Sequence, residues 1–278
     1  MNTVQSISNL RQIRNGLPSP VGLVPTMGYL HEGHLSLVQR ARQECANVIV
    51  SIFVNPTQFG PHEDLDSYPR DIPQDFVLLE KYGVDLVWVP ELEQMYTHDF
   101  QTWVTVERAA QPLEGKMRPG HFRGVTTVVA KLFNSVMPDK AYFGQKDAQQ
   151  VVVIRRMVKD LNFPIDIVVC PIIREPDGLA MSSRNVYLDH EERQAAQVLF
   201  RSLSAATSAF QNGNNDADQL REIMTGTIMS EPLADLQYVS CADPDTLEEL
   251  SGSISRALLS LSVVIGKTRL IDNFLIGD

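Results

Sequence analysis

The stretch Val21-Gly22-Leu23-Val24-Pro25-Thr26-Met27-Gly28-Tyr29-Leu30-His31-Glu32-Gly33-His34 runs from a continuous apolar segment into a loop with two glycines and two histidines. Helical spacing runs over His34–Ala46, through Leu35-Ser36-Leu37-Val38. The pattern is a strand, a loop and a helix start. Such a junction aims unpaired backbone N–H groups and the positive end of a helix dipole at one point, which suits a phosphate. His31 and His34, three residues apart, lie on one face of the first turn. They can hydrogen-bond phosphate oxygens as negative charge builds during phosphoryl or nucleotidyl transfer. The junction predicts a protein that handles a nucleoside triphosphate. A His-x-x-His pair also suits a metal, but two ligands do not make a site and no third is near in sequence.

Outward from that junction the first two thirds alternate between strands and helices. Asn47–Val54 is β-branched and continuously apolar, as in a strand buried on both faces. Helical spacing follows over Asp71–Tyr82, with Gly83 placed to end the helix. Asp85–Val89 reads as a strand, and alternation over Thr102–Val106 predicts an additional one. Gly124–Val136 and Asp147–Leu161 read as helices around a strand at Lys140–Phe143, and Ile165–Cys170 as a further buried strand. This order predicts an α/β fold: a Rossmann-like, doubly wound parallel sheet with ligands at the carboxyl ends of its strands. Loops 25–34, 54–61 and 144–150 all follow strand ends.

The last third changes character. A long amphipathic helix is expected over Asp189–Phe210 and another over Asp218–Met229. A strand at Leu236–Cys241 precedes a hairpin of Ala257–Ile265 and Arg269–Ile276. This predicts a second, smaller α+β domain at residues 176–278, after a nucleotide-binding and catalytic domain at 1–175. The turn-rich segment Glu175-Pro176-Asp177-Gly178 marks the boundary.

Composition narrows the function classes. The 278 residues are 44% hydrophobic, which places the chain among ordinary globular proteins. Met1–Leu10 has no apolar core of the kind a secretory signal needs, and no apolar run is long enough to cross a bilayer. Cys45, Cys170 and Cys241 are few, odd in number and widely separated, which implies reduced thiols in a cytoplasmic protein. A net charge of −10 argues against nucleic acid as a partner. Positive charge is concentrated locally, however: Lys116, Arg118, His121 and Arg123 crowd the stretch Gly115–Gly124, expected to be a loop that attracts an anion and gates the site.

Three further loops carry chemistry. In Phe143-Gly144-Gln145-Lys146-Asp147, Gly144 permits close backbone approach and Lys146 offers a point charge. Met181-Ser182-Ser183-Arg184-Asn185 combines hydroxyls with a guanidinium, a phosphate-binding set. Asn55-Pro56-Thr57-Gln58-Phe59-Gly60 supplies two amides suited to a small organic acid, and Gln149 and Gln150 supply two more. There is no Gly-x-Gly-x-x-Gly after the first strand. Gly266-Lys267-Thr268 lacks the upstream glycine of a Walker loop, Leu261 standing there instead.

Taken in order, Pro25–Gly28 with His31–His34, Phe53–Phe59, Tyr68-Pro69-Arg70, Gly120–Val125, Phe143–Asp147 and Met181–Asn185 resemble the pantoate–β-alanine ligase family over nearly the whole chain. The first and last of these loops are also similar to the signature loops of the nucleotidylyltransferase superfamily. Tyr29 departs from the family, which usually has a small residue there.

The resemblance implies a two-step reaction. The carboxylate of (R)-pantoate attacks the α-phosphorus of ATP to give pantoyl adenylate and pyrophosphate. The amine of β-alanine then attacks the acyl carbon and releases AMP. It further implies that Met27, Gly28, Tyr29, Leu30, His31, Glu32, Gly33, His34, Gly144, Gln145, Lys146, Asp147, Ile173, Met181, Ser182, Ser183 and Arg184 contact ATP. His34, beside His31, would donate a proton to the reacting phosphates, with Lys146, Ser182 and Ser183 stabilising charge. Gln58 would hold pantoate and β-alanine, and Gln150 pantoate. Mg²⁺ would enter on the ATP phosphates, and the enzyme would be a homodimer. Two other readings remain open at this point: a nucleotidylyltransferase that stops after moving AMP onto a phosphate, and a nucleotide sensor without catalysis.

Overall fold

β-Branched and apolar runs build a six-stranded sheet in the computed structural model, which describes residues 1–61 and 63–277. The strands are β1 (Asn2–Val4), β2 (Val21–Thr26), β3 (Asn47–Ile52), β4 (Leu86–Trp88), β5 (Lys140–Gly144) and β6 (Asp166–Cys170), in the order β1-β4-β3-β2-β5-β6. Every pairing is parallel; Val21 to Thr26 of β2 run in register with Asn47 to Ile52 of β3. All six residues of β3 are buried, which explains why its sequence is continuous rather than alternating. Helix Glu32–Glu44 lays Leu37, Val38 and Ala41 against Val24, Val48 and Val50. Each Val or Leu side chain among these, fully buried, contributes about 1.5–3 kcal/mol.

From β2 the chain winds outward through β3 and β4, then returns to place β5 on the other side of β2. The topological switch point therefore lies between β2 and β5, and a ligand crevice is expected at their carboxyl ends. A second sheet is antiparallel: β7 (Ala234–Ala242), β8 (Ala257–Ile265) and β9 (Thr268–Ile276), with β8 and β9 joined by the tight turn Gly266-Lys267. Leu199, Leu203, Leu220 and Met224, from helices Val198–Gln211 and Ala217–Met229, share a core with Leu259, Leu261 and Val263. The chain forms two compact units, residues 1–144 with 153–171, and residues 145–152 with 172–278.

Several local readings change. β1 and helix Ile7–Arg14 arise from a polar segment for which the sequence alone predicts no element. The expected strand at Thr102–Val106 is not one: the Val104 N–H donates to Thr127 Oγ1 (3.0 Å) and its carbonyl accepts from Thr126 Oγ1 (2.7 Å), so helix hydroxyls replace a neighbouring strand. The single helix expected over Asp189–Phe210 is two, His190–Ala195 and Val198–Gln211. At the break the Gln197 N–H bonds three residues back, to Gln194, instead of four. Gly115–Gly124 overlaps the helical turn Glu114–Met117 and the start of helix His121–Val136, rather than forming an open loop.

Candidate functional site

β2 ends at Thr26, and the chain turns at once through two left-handed residues, Gly28 (φ 83°) and Tyr29 (φ 51°). The departure at Tyr29 thus falls where a residue with a side chain is strained, which is why a small residue is the easier choice there. The turn is fastened by Asp75, 1% exposed, whose two carboxylate oxygens accept from the N–H groups of Tyr29 (2.9 Å) and Leu30 (2.7 Å). Burial pushes the Asp75 pKa up, while the same two N–H groups work in the opposite direction. Nothing in the sequence around Asp75, inside helix Ile72–Lys81, announces that role.

The helix that follows begins two residues ahead of the spacing that starts at His34. His31 is its N-cap, and Glu32 to Glu44 are helical. His31 Nδ1 accepts from the Gly33 N–H (3.1 Å), and His34 Nδ1 accepts from the His31 N–H (3.4 Å). The histidines thus form a reciprocal capping box, with ring centroids 4.1 Å apart. Because each Nδ1 is an acceptor, the neutral form of each ring carries its proton on Nε2. Two Nε2–H donors beside a helix N-terminus at the carboxyl end of β2 form an arrangement suited to phosphate oxygens.

At the end of β3 a one-turn helix, Pro56–Gln58, is capped by Asn55. Asn55 is 1% exposed. Its Nδ2 donates to the Gly124 carbonyl (3.2 Å) and to Gln58 Oε1 (3.0 Å). Its Oδ1 accepts from the Thr57 N–H (3.4 Å), Thr57 Oγ1 (2.9 Å) and Tyr96 Oη (2.9 Å). Gln58 Nε2 therefore faces the weak acceptor Met27 Sδ, 3.2 Å away, so this donor is easily surrendered to a substrate oxygen.

The main chain of Gln58 is held separately. Its carbonyl accepts from His121 Nδ1–H (2.8 Å) and Arg118 Nη2 (3.3 Å). Arg118 Nη1 in turn donates to His121 Nε2 (3.2 Å). Burial, reinforced by the Arg118 charge, pushes the His121 pKa down to about 4. Arg118 is also bound at both oxygens of Glu63 (2.7 and 2.5 Å). Burial works against ionisation of Glu63, but Arg118 holds its pKa below the usual carboxylate value. Arg123 lies over the Trp103 ring, 4.2 Å from its centroid. The basic cluster expected to attract an anion thus has Arg118 neutralised by Glu63, His121 uncharged and Arg123 on an indole. A cavity of about 200 Å³ lies among Phe59, Glu63, Trp103, Arg118, His121 and Arg123.

Gly144 is the last residue of β5 in the first unit, and the remaining sequence-predicted residues belong to the second unit. Gln145, Lys146 and Asp147 form one helical turn, followed by helix Ala148–Asp160, in which Gln149 is buried and Gln150 half-buried. Asn273 on β9, 3% exposed, fastens this turn: its Nδ2 donates to the carbonyls of Gln145 (3.0 Å) and Lys146 (2.9 Å), and its Oδ1 accepts from Gln145 Nε2 (3.0 Å). Asn273 reads in sequence only as a polar residue in a hairpin strand. The Met181 N–H bonds the Ile173 carbonyl (3.0 Å), and Arg174 is bound at both oxygens of the buried Asp272 (2.7 and 2.9 Å). Ser182 caps the short helix Ser183–Tyr187, its Oγ accepting from the Arg184 N–H (3.3 Å). Among the described residues no three His, Cys, Asp or Glu side chains converge to hold a metal.

The profile of the pantoate–β-alanine ligase family matches residues 1–275. This chain belongs to that family. The pantothenate synthetase of Roseiflexus castenholzii is 60% identical over 273 residues, covering 98% of both chains, and that of Herpetosiphon aurantiacus is 57% identical over 274. The crystal structure of the pantothenate synthetase from Thermus thermophilus superposes with a TM-score of 0.96 at 46% identity, over the whole of both chains. That of the Francisella tularensis pantoate–β-alanine ligase, complexed with β,γ-ATP and β-alanine, gives 0.81 at 37% identity, covering 99% of this chain and 97% of that one. Family membership makes the enzyme a carbon–nitrogen ligase that condenses pantoate with β-alanine at the expense of ATP. No helix among the described residues is long and apolar enough to cross a membrane.

Proposed function

We propose that the enzyme works through a pantoyl adenylate, with the residues around β2 and β3 and the loops of the second unit in the roles below. The observation that carries this reading is the histidine capping box after β2, together with an amide, Gln58, whose donor end faces the thioether of Met27 on that same loop. In the first step a pantoate carboxylate oxygen bonds to the α-phosphorus of ATP, and the bond from that phosphorus to the bridging oxygen breaks, releasing pyrophosphate. The step needs positioning and charge neutralisation more than covalent help. Nε2–H of His34, with His31 beside it, donates to the reacting phosphates. Gln58 Nε2 and Gln150 orient pantoate. Lys146, Ser182 and Ser183 neutralise charge on the phosphates, while Met27 to His34, Gly144 to Asp147, Ile173, Met181 and Arg184 hold the nucleotide.

In the second step the β-alanine amine, held by Gln58, bonds to the acyl carbon; the acyl–oxygen bond to AMP breaks, and the amine gives up its proton. Mg²⁺ arrives as part of the substrate MgATP, bound to phosphate oxygens, which requires no protein cage. The enzyme acts as a homodimer in the cytoplasm.

The test is pyrophosphate release from MgATP and pantoate, with and without β-alanine. A pantoate-dependent stoichiometric burst that β-alanine converts to steady turnover is expected. Steady release without an amine, or none, would refute the two-step reading. His34→Ala should lower adenylate formation about 100- to 1000-fold in a folded protein, as for loss of one charge-stabilising donor. Near-normal turnover would remove His34 from its role.

A further inference from the structure

We propose that Tyr96 is a positioning residue for the Gln58 amide, acting through Asn55, and that its hydroxyl serves affinity for the organic acid rather than for the nucleotide. The proposal rests on the reading above that Gln58 Nε2 meets pantoate.

A side-chain amide has two ends of similar shape and opposite polarity, so something must decide which end of Gln58 faces the substrate. Main-chain groups decide it for Asn55. The Gly124 carbonyl can only accept and the Thr57 N–H can only donate, so Nδ2 must face Gly124 and Oδ1 must face Thr57. Asn55 then presents Nδ2 to Gln58, whose Oε1 turns toward it and whose Nε2 points away, to Met27. The weak link is the Thr57 N–H, at 3.4 Å. Asn55 is almost fully buried, so its carbonyl oxygen needs a stronger donor than that.

Tyr96 supplies it. Its hydroxyl is 2.9 Å from Asn55 Oδ1 and 3.1 Å from Thr57 Oγ1. Two hydroxyl protons serve three close oxygen pairs, and in every distribution that leaves neither hydroxyl idle at least one proton lies on Oδ1. Burial pushes the Tyr96 pKa up, so the hydroxyl remains a protonated donor. The ring is packed by Phe53, Phe100 and Trp103 at 6.4, 5.0 and 6.3 Å between centroids. Phenylalanine would preserve that packing. The hydroxyl is what the network uses.

Tyr96→Phe removes one net hydrogen bond from the chain of contacts that orients Gln58. At about 0.5–1.5 kcal/mol per bond, this corresponds to a roughly 2- to 13-fold rise in the KM for pantoate. The KM for ATP should stay within about twofold, and the melting temperature should change little. Thr57→Val removes the other hydroxyl. Because loss of both hydroxyls leaves Oδ1 with the long Thr57 N–H contact (3.4 Å), Tyr96→Phe with Thr57→Val should raise the pantoate KM by more than the product of the two single effects. In an Asn55→Ala background Tyr96→Phe should add nothing.

The assay is steady-state pyrophosphate release with pantoate, β-alanine and MgATP. A wild-type pantoate KM in Tyr96→Phe, equal rises in both KM values, multiplicative effects of the two hydroxyl losses, or a full Tyr96→Phe effect without Asn55 would each overturn the proposal. A wild-type enzyme inert toward pantoate would instead remove the reading on which the proposal rests, and the proposal with it.

Discussion

His121 should remain neutral far below the pH at which a histidine ordinarily takes up a proton, and acidification should destabilise the protein through it. The ring donates from Nδ1 to the Gln58 carbonyl and accepts at Nε2 from Arg118. A second proton can only go to Nε2, where it meets the Arg118 guanidinium in a desolvated place. The folded pKa is accordingly about 4, against 6.5 for a free ring. Between these values the unfolded chain binds a proton that the folded chain does not, so stability rises with pH across this window and is lost as pH falls from 6.5 toward 4. A difference of about 2.5 pKa units at 1.36 kcal/mol each gives about 3 kcal/mol once both forms are protonated.

Two measurements check it. The His121 ring resonance, followed by NMR, should titrate near pH 4. Urea unfolding at a series of pH values should show a loss on acidification that His121→Asn, which keeps a donor for the Gln58 carbonyl but cannot titrate, lacks by about that amount. Subtracting the variant removes the carboxylates common to both proteins. A ring that titrates near 6.5, or parallel pH curves for the two proteins, would refute the argument that Arg118 and burial hold His121 neutral.

Two other substitutions test how the loops are held. A Cβ on Gly124 would lie 2.4 Å from the Thr57 carbonyl oxygen and 2.7 Å from the Gln58 nitrogen, so Gly124→Ala must displace the turn that carries Gln58. Pyrophosphate assays should show at least a tenfold fall in kcat/KM for pantoate, and an unchanged value would refute the close packing. Asn273→Ala leaves the Gln145 and Lys146 carbonyls without their side-chain donor. Urea unfolding should show a loss of about 2 kcal/mol and steady-state kinetics a raised KM for ATP; wild-type values in both would show that Asn273 does not hold the turn.

Legibility in the sequence followed the range of the interactions. Val21–Thr26 and Asn47–Ile52 are strands because their composition suits burial on both faces, and the local pattern carries that information. The loop after β2 was legible for the same reason, down to its two histidines. The capping of its helix by the His31 ring was not, because the preference for Ser, Thr, Asp and Asn does not reveal such an N-cap. Thr102–Val106 alternates like a strand and is not one, because its polar backbone groups at Val104 are taken by threonines of a helix more than twenty residues away. The basic run from Lys116 to Arg123 looked like an anion site, and its charges could be assigned only once Glu63 and Trp103 had been brought to it.

The sequence by itself determined the kind of protein: a parallel α/β sheet with a small α+β part, polar loops at strand ends, and the motifs of one ligase family. Those features depend on spacing within a few residues, where helix and strand periods and the chemistry of turns act. The tertiary structure alone decided polarity and support. Which end of Gln58 faces outward depends on Gly124 and Tyr96, the turn after β2 on Asp75, the Lys146 turn on Asn273, and the neutrality of His121 on burial beside Arg118. Each is a buried polar group answered by a partner distant in the chain, because a buried donor or acceptor must be satisfied by whatever the fold brings within hydrogen-bond reach.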